Sequence, residues 1–141
     1  MSKFAAFMAG ATNQVENQKV AVSPRFKDED GNTIEFEIRA LSAAENDEIT
    51  RRCMVNVAVP GQRGVFNREL DQVKYVATLI AASVVYPALD DAELQDSYHV
   101  KTPEDLIRTM LYTGEYNTLA QAVTTVSSGE SLGELVTAAK N

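Results

Sequence analysis

Apolar and polar residues alternate early in the chain and then change period. Val20, Val22, Pro24 and Phe26 alternate with Lys19, Ala21, Ser23 and Arg25, and Ile34, Phe36 and Ile38 alternate with Glu35, Glu37 and Arg39. Strand side chains point to opposite faces in turn, so each run predicts a strand with one apolar face, Pro24 marking an edge or an end. Residues 27–32 between them (KDEDGN) carry turn chemistry, and the two runs read as a β-hairpin. A lone hairpin is marginal in water until something covers its apolar face. Helices must supply the cover.

Beyond residue 40 the apolar spacing is helical. Ser42 with Glu45 forms a capping box, and Ile49, Cys53 and Val57 follow at spacing four, predicting a helix that ends near Val59, Pro60 and Gly61. After a glycine-rich loop, residues 68–86 predict a central helix with Leu70, Val73, Ala77, Ile80 and Val84 along its main face. Its second half is uncharged nearly all round, which implies burial between other elements. Asp90 with Glu93 predicts a cap for a short helix carrying Leu94. Thr102 before Pro103 starts another, through Leu106, Ile107 and Met110. Thr113 and Gly114 interrupt the chain before a helix over 116–126 with Leu119 and Val123 inward. Ser131 with Glu134 is a second capping box, for a last helix bearing Leu132, Leu135 and Val136. Upstream of the hairpin, Phe4, Phe7, Met8 and Ala11 make a short apolar stripe, too short to be a stable helix alone. The pattern predicts an α+β fold, mainly α, with an N-terminal β-hairpin packed on a bundle of about five helices. Residues 1–141 are expected to form a single domain, with 1–18 a mobile amphipathic segment.

Composition narrows the function classes. The 141 residues carry a formal charge of −7, so the summed field repels phosphate backbones and anionic lipid heads. Nucleic acid and membrane are not expected partners. The longest uncharged stretch, residues 75–89, falls short of the roughly 20 apolar residues of a membrane span. The one cysteine, Cys53, cannot form an internal disulfide and reads as a small buried hydrophobe, which suits a reducing, cytoplasmic setting.

With one histidine, His99, and one cysteine, no multi-ligand zinc site can be assembled. His99 lies between two predicted helices with no nucleophile at a recognisable spacing, and reads as a loop residue. A calcium loop starting at Asp28 fails at its sixth position, Thr33, and its twelfth, Arg39. The segment YPALDDAELQDSY, residues 86–98, holds Asp90, Asp91, Glu93 and Asp96. Capping accounts for the first three, with Asp90 as the cap and Asp91 and Glu93 in the first turn, where carboxylates meet the positive end of the helix dipole. No catalytic residue, metal or cofactor is expected, and the chain reads as non-enzymatic.

Four segments then carry a resemblance: SPRFKD (23–28) with IEFEIR (34–39); VPGQ (59–62); YPALDDAELQDSY (86–98); and LIRTML (106–111) with GEY (114–116). In order and spacing the chain resembles the XkdN-like tail assembly chaperones of contractile-tailed phages and PBSX-type prophages. The resemblance implies a chaperone that coats the long, helical tape measure protein, self-associates along it, helps recruit tail tube subunits, works in the bacterial cytoplasm and is absent from the mature virion. The physical logic is helix-in-groove binding, with apolar stripes covering apolar stripes. The expected protein-binding stripe is Phe4, Phe7 and Met8, methionine offering adaptable packing. The alternative is a structural tail component, a connector or completion protein retained in the particle.

Overall fold

Burial of Phe36 and Ile38, with Glu37 turned outward between them, sets the floor of the fold. In the computed structural model, which describes residues 3–128, the elements run in chain order β1 (Gln18–Val20), β2 (Phe36–Ile38), α1 (Ala43–Arg52), β3 (Met54–Ala58), β4 (Phe66–Leu70), α2 (Gln72–Ser83), β5 (Val84–Tyr86), α3 (Ala92–Ser97), α4 (Pro103–Met110) and α5 (Thr113–Ser127). The class is α+β, mainly α. The capping box predicted at Ser131 and Glu134, with its helix, lies outside the described residues.

The N-terminal hairpin is present, but its first strand sits earlier than the alternation predicts. Gln18, Lys19 and Val20 pair antiparallel with Ile38, Glu37 and Phe36, whereas residues 21–26 leave the sheet. Pro24 has no N–H to give a ladder, and the chain turns there, Phe26 N–H donating to the Ser23 carbonyl at 3.5 Å. Val22 and Phe26 still reach the core, Phe26 meeting Phe36 with ring centroids 5.7 Å apart. At the acidic turn Asp28 Oδ1 accepts from the Asp30 and Asn32 N–H groups, both at 2.9 Å, and Gly31 takes φ +84°, which a side chain would disfavour.

The helix predicted from the Ser42 box starts as expected. Glu45 N–H donates to Ser42 Oγ, and Ser42 N–H to Glu45 Oε1, both at 3.1 Å. It ends at Arg52, however, not near Val59. Residues 54–58 are β3, paired along its whole length with β4, from Met54 against Leu70 to Ala58 against Phe66. The central helix is correspondingly shorter, Gln72–Ser83 rather than 68–86, started by Asp71 accepting from Lys74 N–H at 3.1 Å. Val84 belongs to β5, a third strand on β2, fixed by Arg39 N–H donating to the Ser83 carbonyl (2.9 Å) and Ser83 Oγ donating to the Arg39 carbonyl (2.6 Å).

Two boundaries also move. The cap of α3 is Asp91, whose carboxylate accepts from Leu94 N–H at 2.8 Å, so Asp90 stands one residue outside the helix. α5 runs through Thr113 and Gly114 without a break, because Glu115 reaches back to accept from Tyr112 N–H at 2.8 Å and closes the first turn. Thr102 and Pro103 start α4 as expected.

The main core lies between the β1–β2–β5 sheet, α2, α4 and α5, around Phe36, Ile38, Ile80, Leu106, Leu119 and Val123. A smaller cluster of Leu41, Ile49 and Cys53 seats α1 on α2, and Leu79 packs against both. α2 is therefore central, bordered by α1, α4, α5 and β5.

Candidate protein-interaction surfaces

The N-terminal stripe forms no α-helix. Ala5–Phe7 make one 3-10 turn, closed by Thr12 Oγ1 donating to the Ala6 and Met8 carbonyls at 3.2 and 3.1 Å. Phe4, Phe7 and Met8 are 66%, 81% and 53% exposed, and none belongs to either core cluster.

The acidic segment gathers nothing. Asp91 is occupied as a cap, and among the described residues no group of three His, Cys, Asp or Glu side chains converges as a metal site. His99 sits just past α3 with φ +58°, its N–H bonded to the Asp96 carbonyl at 3.1 Å, a helix-terminating position. Among the described residues no buried side-chain nitrogen or oxygen lacks a hydrogen-bond partner.

The surface that sequence reasoning missed runs along α2. Between α1, α2 and α5 lies a trough of about 640 Å³ whose apolar lining includes Leu41, Tyr75, Val76, Leu79 and Ala120, with Asn46, Gln121 and Thr124 at its rim. Val76 also borders a second hollow of about 520 Å³, lined by Val73, Leu111 and Tyr116 with Arg108 beside them. The two make one broken apolar channel. It exists because α2 is apolar on more than its buried face: Ala77 and Ile80 go to the core, Val76 and Leu79 are half-buried, and Val73 is 67% exposed. The signal was present in the uncharged second half of that helix, but periodicity does not say which apolar side chains find cover.

Charge-assisted bonds fix the starts of α5 and α1, two of the helices that border these hollows. Near Tyr116, Arg25 donates to Glu115 from Nε (2.9 Å) and Nη2 (2.6 Å), and from Nη2 to the Met110 carbonyl (3.1 Å), with its guanidinium 4.5 Å over the Tyr112 ring. The bonds from Arg25, then Ser23 and the Tyr112 backbone, hold the Glu115 carboxyl down at about 2. At the start of α1, Arg39 donates to Glu45 at 2.6 and 3.2 Å. That contact, with the Ser42 backbone bond, holds Glu45 at about 2 also and pins the start of α1 beside Leu41. Tyr75 Oη donates to Asn46 Oδ1 across the trough wall, joining α1 to α2.

Residues 4–140 match the model of the phage XkdN-like tail assembly chaperones. The chain belongs to that family. It is 31% identical over 137 residues to the uncharacterized protein YqbN of Bacillus subtilis strain 168, covering 96% of this chain and 91% of YqbN. It is 30% identical, with the same coverage, to the phage-like element PBSX protein XkdN of the same strain. The crystal structure of YqbN superposes with a TM-score of 0.75 over 91% of this chain and 98% of that one, at 24% identity, a likeness of fold. This XkdN-like chain thus has a role in phage tail assembly, and no enzymatic family is indicated.

Proposed function

We propose that this XkdN-like protein is a non-enzymatic chaperone that binds the tape measure protein and helps recruit tail tube subunits, acting in the host cytoplasm and leaving before the virion is complete. The observation that carries this reading is the apolar channel along α2. A helix presents apolar side chains at every third or fourth position, and the floor made by Val73, Val76 and Leu79 offers apolar positions at the same spacing. A long helical client would bury its stripe there and stay in solution. The exposed side chains of Phe4, Phe7 and Met8 serve as a second contact.

Co-expression with the tape measure protein tests the reading. The chaperone should raise the soluble yield of that protein, co-purify with it, and be missing from purified tails. Retention in finished tails would instead indicate a connector or completion protein. Val73→Glu puts a charge on the channel at an exposed position, so the fold should survive while client recovery drops. Phe7→Ser with Met8→Ser should lower recovery less. Unchanged recovery with Val73→Glu would remove the channel from the account.

A further inference from the structure

We infer that the β3–β4 arm is a self-association device, whose face bearing Phe66 and Arg68 docks on the outer face of the β1–β2–β5 sheet of a second copy of this chain.

The arm lacks cover. β3 and β4 pair with each other, neither packs substantially on a third element, and only the base is anchored, by Leu70 against the α1 cluster and Asp71 N–H on the Cys53 carbonyl at 2.8 Å. Apolar residues are exposed on both faces: Val55 (38%) and Val57 (39%) on one, Phe66 (59%) on the other. A two-stranded ribbon in that state is marginal by itself.

Charge says what covers it. The arm, residues 54–70, holds two basic side chains, Arg63 and Arg68, against one acidic one, Glu69, in a chain of net charge −7. The register separates these further. Arg68 shares its face with Phe66, whereas Glu69 lies on the Val55 and Val57 face. The complementary surface is in the same molecule. Residues 28–37 hold five acidic side chains and no basic one, and Glu35 and Glu37 line a hollow of about 520 Å³ with Ile34, Val85 and Tyr86, where Lys19 across the strand pair from Glu37 is the one basic side chain. An arginine beside an aromatic ring would meet carboxylates beside apolar side chains.

One copy cannot satisfy itself. β4 leads into the N-terminal end of α2 and β5 leaves its C-terminal end, and a helix of twelve residues is about 18 Å long. Contact between different surfaces of identical copies is head-to-tail, and it builds rings or open rows rather than a closed two-fold dimer. The contact involves the arm and the sheet, not the α2 channel, so it and the tape measure reading stand or fall separately.

The test uses the full chain and two charge-reversed variants, Arg63→Glu with Arg68→Glu, and Glu35→Lys with Glu37→Lys, each checked for wild-type circular dichroism. Sedimentation velocity of the wild type should show mass that rises with concentration and falls with added salt. Either variant alone should associate about tenfold more weakly or worse, since like charges then face each other. An equimolar mixture should recover the larger species, because the acidic arm of one variant meets the basic sheet of the other and the reverse contact is also complementary. A wild type that stays monomeric at all concentrations, association untouched by either reversal, or a mixture that fails to recover would each overturn the proposal.

Discussion

The molecule contains two hairpins that look alike in outline and differ in what holds them. β1–β2 buries Phe36 and Ile38 under α2, α4 and α5, gains β5 as a third strand, and is tied through Arg25 to the start of α5. β3–β4 is longer, pairs along its full length, and leaves apolar side chains on both faces in solvent. The first hairpin belongs to the core and the second is carried by it. Backbone pairing alone thus says little about what a hairpin contributes to stability, because the burial of one face supplies most of the energy.

The largest effect expected from that contrast is Phe36→Ala, which empties a fully packed site and should cost about 3–5 kcal/mol in urea denaturation. A loss below about 1 kcal/mol would mean that the sheet is not part of the main core. Acid comes next. Glu45 and Glu115 sit at about 2 in the folded protein against an ordinary value of 4.5. Their stabilisation is therefore complete above the unfolded value and disappears as pH falls through the folded one. Urea midpoints should drop between pH 4.5 and 2, and Glu115→Gln should flatten that drop. A midpoint that ignores pH in this window would show that the clamp on the first hairpin contributes nothing. Asp91→Ala should remove about 1 kcal/mol as a lost helix cap, while Asp90→Ala stays near zero. Equal effects would return the cap to a shared or earlier position. The smallest effect belongs to the second hairpin: Val57→Ala should change stability by no more than about 0.5 kcal/mol.

The same contrast explains what could be read in the sequence. β2 was legible because its alternation has one period and one buried face. β3 was not, because Ile49, Cys53 and Val57 also satisfy helical spacing and the strand has no buried face to enforce period two. Val84 merged with α2 for a related reason. A short apolar run suits helix or strand, and here the pairing of Ile38 with Val84 decides it. Caps were legible because they are local: Ser42 with Glu45 and Thr102 with Pro103 fall where expected, and the adjacent carboxylates Asp90 and Asp91 are separable only by which one reaches Leu94 N–H. The α2 channel was hidden because Val76 and Leu79 have the periodicity of core residues, and only the packing of α1 and α5 around them leaves a gap.

The channel along α2 is proposed to receive the tape measure protein. Amide hydrogen exchange of the chaperone, measured with and without that protein, addresses it directly. Exchange should slow in α1, α2 and along α5, where Asn46, Val76, Tyr116 and Thr124 border the channel. Binding that slows exchange only in the β3–β4 arm or the outer sheet face, leaving α2 and α5 unchanged, would contradict it.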